Sequence, residues 1–229
     1  MSNWRQKLAQ AVEVGRVLED SEKNIELLLA GTSDERAEEV VGELVNDEQW
    51  EELNDRFYKT MAFGTGGMRG RTVGKVVTGP ERGQSERGEC PEVPCYGTAS
   101  MNFYNLNRAM RGFISHVGKH LIASGEDRKP VFVIAHDTRH FSANFARYCG
   151  KVCTDLGCDV HLFDGPRATP ELSFALRVLK ADAGVVLTAS HNPSHDNGFK
   201  AYFSDGGQIV EPHAGGIIAE VNALATDSY

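Results

Sequence analysis

Apolar positions along the first sixty residues recur at helical spacing among charges. Trp4, Leu8 and Val12 form one such stripe, and Ile25, Leu28 and Leu29 form another. Gly31 reads as a stop, and Thr32 with Glu35 fits a capping box for the next helix. A third run, Trp50, Leu53 and Phe57, leads to Met61. Residues 1–60 are therefore expected to form an N-terminal helical extension. Beyond a glycine-rich stretch, 73–78 has a strand-like pattern, while 79–97 is rich in Gly, Pro and charge without period and reads as a long surface loop or insertion. Phe103, Leu106, Met110, Phe113, Ile114, Val117 and Leu121 then mark a long helix.

Strand and helix patterns alternate from there. Residues 131–135, 158–163 and 183–187 read as strands, with 141–156 and 170–179 as helices between them. Shorter strands are expected at 198–203 and 208–210, and a closing helix at 213–223. This βαβα order predicts an α/β class chain: a three-layer α/β/α domain over 61–229 with a mixed, largely parallel sheet, plus the helical extension.

The composition is that of a globular protein, 41% hydrophobic and 24% charged over 229 residues. Its 24 basic and 32 acidic residues leave a net charge of −8, which disfavours nucleic acid as a whole-chain partner. No apolar run approaches the roughly 20 residues of a membrane helix, and the first residues lack the apolar core of a signal peptide. Five cysteines without paired spacing argue against a secreted disulfide framework. A cytoplasmic chain with no membrane partner is the expectation.

Ligands of open α/β sheets bind beyond the carboxyl ends of the strands. Three such exits are polar: His136-Asp137-Thr138-Arg139, Asp164-Gly165-Pro166-Arg167-Ala168-Thr169-Pro170, and the segment from Thr188 to Lys200. In the last, Ser190 is surrounded in sequence by His191, His195 and Lys200, a setting able to stabilise an anion or activate a hydroxyl. The glycine-rich segment around Thr65, Gly66 and Arg69 has backbone N–H groups and an arginine suited to a phosphate. It has neither Walker A nor dinucleotide-fingerprint spacing. Arg139 could pair with phosphate or be held in a structural ion pair by Asp137. The pairs His136/His140 and His191/His195 lack a metalloprotease context, and no Gly-x-Ser-x-Gly elbow surrounds Ser190.

Together these segments resemble the α-D-phosphohexomutase superfamily. Thr188-Ala189-Ser190-His191-Asn192-Pro193 is similar to its phosphoserine loop, Asn197-Gly198-Phe199-Lys200 to the segment after it, and Phe63-Gly64-Thr65-Gly66-Gly67-Met68-Arg69-Gly70 to its first glycine–arginine motif. The resemblance covers about residues 55–225 and lies nearest the phosphoglucomutase branch that includes phosphopentomutases. It implies a phosphoserine domain of a mutase that interconverts hexose 1- and 6-phosphates, or pentose 1- and 5-phosphates, through a sugar bisphosphate. In that scheme Ser190 carries the phosphoryl group and gives Mg²⁺ a phosphate ligand. Lys200 acts near the sugar hydroxyl and His191 supports the loop. Arg69, with Thr65 and Gly66 of its motif, holds phosphate or sugar, and Arg139 and Asn192 are lesser binding candidates.

The family's Asp-Gly-Asp-x-Asp-Arg metal motif, Gly-Glu-x-Ser-Gly sugar loop and Arg-x-Ser-Gly-Thr-Glu phosphate loop do not occur in these 229 residues. The chain is therefore expected to be domain I with the later mutase domains missing, inactive or nearly so alone. The competing readings are a non-catalytic phosphosugar-binding or regulatory module and a serine hydrolase.

Overall fold

The computed structural model describes residues 3–224, so the first two residues of the expected helical extension and the last five of the expected 61–229 domain lie outside the described residues. The chain divides into two compact units. One contains the chain up to Met61 together with Arg71–Asn105. The other contains Ala62–Gly70 and the chain from Leu106 onward.

In the first unit the helical pattern resolves into α1 (Asn3–Glu13), α2 (Glu19–Gly31), α3 (Arg36–Asn46) and α4 (Trp50–Phe57). Their apolar stripes meet in one core that includes Trp4, Leu8, Ile25, Leu28, Val41, Leu44, Leu53 and Phe57. The expected Thr32–Glu35 capping box does not form. Thr32 Oγ1 accepts the Asp34 amide, and Asp34 Oδ1 accepts the Arg36 amide at 3.2 Å, so the acid two residues later satisfies the helix start. A capping box closes instead at Thr78 and Glu81, on the short α5 (Gly79–Arg82).

Residues 73–78 are not a strand. They wrap around Arg56, which is 1% exposed. Its guanidinium binds Glu52 at 2.7 Å, Glu81 at 2.5 Å and the Val76 carbonyl at 2.5 Å. A Cβ on Gly74 would lie 2.2 Å from Arg56 Nη2, so the backbone passes where no side chain fits. The compact unit built on the N-terminal helices thus also takes in Arg71–Asn105, including all of the expected 79–97 loop.

The second unit is an α/β fold. Its elements are β1 (Gly67–Arg71), whose last residue belongs to the first unit, α6 (Phe103–Ala123), which begins there, β2 (Val131–His136), α7 (Ser142–Asp155), β3 (Asp159–Leu162), α8 (Thr169–Leu179), β4 (Ala183–Leu187), β5 (Asp196–Phe203) and α9 (His213–Ala223). The five strands run in the order β1-β5-β4-β2-β3. β2 pairs parallel with β3 and β4, whereas β5 runs antiparallel to β4, so the sheet is mixed. Strand alternation feeds both faces. Val133, Ala135 and Val186 pack with Leu172 and Leu176 of α8. On the opposite face Phe132 and Phe199 meet Phe113 of α6 edge-on, giving the three-layer α/β/α arrangement.

β3 is a mostly exposed edge strand with a single neighbour. One strand expectation changes in this unit. Residues 208–210 form no strand; Gln208 makes one isolated bridge to Tyr202. No described helix is long and apolar enough to cross a membrane.

Candidate functional site

Because β2 and β4 are parallel neighbours, His136 and Leu187 end side by side, and their polar exits leave the same edge of the sheet. The chain then turns back, and β5 pairs with β4 from Phe199 opposite Leu187 to Phe203 opposite Ala183. The Thr188 amide extends that ladder by donating to the Gly198 carbonyl at 2.9 Å. Residues 189–195 are therefore a loop clamped at both ends, with Ser190 exposed at φ 57°. A serine disfavours this left-handed region, so the surroundings must hold it there.

Arg139 and Thr188 supply that hold. Arg139 Nη2 donates to the carbonyls of Ser190 at 2.5 Å and Asn192 at 2.7 Å, and Nη1 donates to those of Pro193 at 2.8 Å and Asp196 at 3.2 Å. Its Nε lies 3.3 Å from Asp137 Oδ2 in an ion pair. Both Nη groups are taken up by loop and β5 carbonyls, so in this arrangement Arg139 shapes the loop. Thr188 Oγ1 accepts the Ser190 amide at 3.0 Å and donates to Asp137 Oδ2 at 2.5 Å. Asp137 Oδ1 accepts the Arg139 amide and the Ser142 hydroxyl, and buried Asn197 donates to Ser142 Oγ. Thr188, Ser142 and Asn197 are not among the site residues that the sequence singles out. The available signal is a run of polar residues directly after a fully apolar strand.

The glycine-rich segment docks beside this loop. Gly64 and Gly67 exchange backbone hydrogen bonds at 2.8 and 3.1 Å around Thr65 and Gly66. Gly66 has φ 80° and Gly67 φ 141°, and a Cβ on Gly67 would stand 1.8 Å from the Phe199 carbonyl oxygen. Only glycine permits that approach to β5. It brings Arg69 to Asn192, with Nη1 donating to Oδ1 at 3.0 Å, while Asn192 donates onward to Asp196.

A pocket of about 190 Å³ opens there, lined by Thr65, Gly66, Arg69, Lys200 and Gln208 among others. Burial and the nearby Arg69 charge push the Lys200 ammonium below its ordinary pKa, against a weaker opposing pull from Asp137. Two cations facing one polar pocket suit an anion.

His191 follows Ser190 and is exposed, with no hydrogen bond to the loop among the described residues. His195 Nε2 lies 3.6 Å from Asp196 Oδ1. The Asp164–Pro170 exit touches the site only at its margin, where the Arg167 amide donates to the His136 carbonyl. Its side chain is occupied by Asp164 and Glu171.

This assembly has counterparts in known proteins. Residues 93–227 match the model for phosphoglucomutase/phosphomannomutase, alpha/beta/alpha domain I. A phosphoglucomutase of Staphylococcus epidermidis (strain ATCC 12228) is 34% identical over 172 residues, covering 75% of this chain and 26% of that protein. The phosphoribomutase of Saccharomyces cerevisiae is 31% identical over 188 residues, 81% of this chain and 26% of that protein. The chain thus spans about a quarter of the length of the curated relatives it matches. Among solved structures, a Thermus thermophilus protein assigned as a phosphomannomutase superposes with a TM-score of 0.54 at 31% identity, over 71% of this chain and 30% of that one. With the family model matched over more than half its length, this chain belongs to the phosphoglucomutase/phosphomannomutase family through its α/β/α domain I.

Proposed function

We propose that this chain is the phosphoserine-bearing domain of a phosphosugar mutase, with Ser190 as the phosphoryl carrier. The observation that carries the reading is an exposed serine held in a strained conformation by Arg139 and Thr188, next to a pocket with two cations.

The Ser190 phosphate oxygen–phosphorus bond breaks as a sugar hydroxyl forms its own bond to phosphorus, giving a sugar bisphosphate. The sugar turns over and returns its other phosphoryl group to Ser190. Such transfers depend chiefly on positioning and charge stabilisation. Lys200 faces the transferring group, either exchanging a proton with the sugar hydroxyl or clamping charge. Arg69 holds phosphate or sugar with Thr65 and Gly66, and Asn192 orients Arg69. The substrates are hexose or pentose phosphates, and the remaining mutase domains would complete the site.

The resemblance also brings in Mg²⁺, with the Ser190 phosphate as the ligand expected from this chain. Among the described residues no three His, Cys, Asp or Glu side chains converge as a metal site. Both Asp137 oxygens are engaged by Thr188, Ser142 and Arg139. The chain's own donors around Ser190 therefore do not fit Mg²⁺. A cytoplasmic location belongs to the same proposal and is supported by five cysteines that are all free thiols.

Incubation with a hexose bisphosphate, followed by peptide mass spectrometry, tests the assignment. One phosphate is expected on the Ser190 peptide of the longest natural form of the protein, and none in Ser190→Ala. Phosphate that never appears on Ser190, or labelling of Ser190 by a fluorophosphonate probe, would overturn it.

A further inference from the structure

Three histidines lie in the second unit away from Ser190. His116 and His120 sit one turn apart on α6, and His213 opens α9. His116 Nε2 and His213 Nδ1 are 3.0 Å apart. One ring must donate to the other, so the neutral pair shares a single proton.

The surroundings hold these rings in place. A Cβ on Gly216 would lie 2.4 Å from His116 Cε1, so a glycine in α9 makes room for the imidazole from α6. The Phe203 ring stacks on His213 with centroids 3.9 Å apart, and the His120 ring meets His213 edge-on at 5.1 Å. The charged groups facing the pair are Asp205, Glu220 and Lys119, and Lys119 is already bound to Glu220 at 2.5 Å. Burial pushes both His116 and His213 below the ordinary histidine pKa, reinforced at His116 by His213 and His120 and at His213 by His120.

We propose that His116 and His213 form a two-histidine site for a divalent transition ion of the zinc class, tying α6 to α9. Two imidazoles bound tetrahedrally at about 2.0–2.1 Å from zinc place their nitrogens roughly 3.3 Å and their ring centroids roughly 5.2 Å apart. The observed separations are 3.0 Å and 5.3 Å. The rings need only tilt, so that each nitrogen points at the ion instead of at its partner. On binding, the donating ring moves its proton through solvent to its other nitrogen, so both rings stay neutral imidazoles, and water completes the coordination. Neutral imidazoles select zinc, nickel or copper over magnesium, and the site is separate from the Ser190 pocket.

Side-chain ¹⁵N NMR of the 229-residue chain titrated with zinc chloride tests this directly. His116 and His213 are expected to respond first and saturate at one ion per chain, with magnesium chloride producing no response. His116→Gln and His213→Gln should each weaken zinc binding at least about tenfold while far-UV circular dichroism stays unchanged. If His191 or His195 saturates at lower zinc, or if both variants bind as the parent does, the site does not exist.

Discussion

Arg139 Nη2 donates to the carbonyl oxygen of Ser190 at 2.5 Å, and that carbonyl is one of four loop and β5 carbonyls gathered by the same guanidinium. A planar fork can meet four acceptors at once, but an ammonium cannot. Arg139→Lys should therefore cost about 1–3 kcal/mol in urea unfolding and make the 189–195 loop the first site of limited proteolysis. An unchanged cleavage map would show that the loop holds its shape without the fork.

Thr188 links Ser190 to Asp137 through one hydroxyl that both accepts and donates. Thr188→Val keeps the shape and removes both bonds, leaving Asp137 under-satisfied at a cost of about 1–3 kcal/mol. Thr188→Ser restores the hydroxyl and should recover most of that loss. Equal stability of the two variants in denaturant titrations would refute the relay.

Two glycines should respond in opposite directions. Gly67→Ala places a methyl group 1.8 Å from a backbone oxygen at a positive φ, so loss of folding or a fall of more than about 3 kcal/mol is expected. Gly118 lies inside α6, and an added methyl group there would meet nothing within 4 Å, so Gly118→Ala should add about 0.5–1 kcal/mol. Calorimetry of both variants reads the contrast.

Lys200 has a pKa depressed below the ordinary 10.5. As pH rises through that depressed value, the folded chain releases this proton before the unfolded chain does, so stability gains with pH there. Lys200→Met removes a cost present at neutral pH. The variant should be at least as stable as the parent at pH 7, with the difference shrinking above about pH 10. The same variant should bind a hexose phosphate more weakly. A Lys200→Met chain destabilised at pH 7 would mean that the ammonium is favourably placed in the fold.

Local pattern is enough for the elements whose periodicity is self-contained. The run of β4 and the helical stripe of α6 declare themselves because β4 is buried throughout and the α6 stripe repeats along one face over several turns. The same reasoning fails at 73–78, where β-branched residues do not pair into a sheet but pass around buried Arg56. It fails again at Thr32 and Glu35, where a nearer acid takes the helix start.

The chemistry divides in the same way. Residue order alone determined the α/β alternation, the polar exits of the strands, and the motif residues Ser190, Lys200 and Arg69, because each is written in a contiguous stretch. Tertiary structure alone decided that Arg139 grips the Ser190 loop, that Arg69 reaches Asn192, and that His116 meets His213. These pairs lie 51, 123 and 97 residues apart, and their contacts exist only once the parallel pairing of β2 with β4, the return of β5, and the packing of α9 on α6 have brought distant segments together.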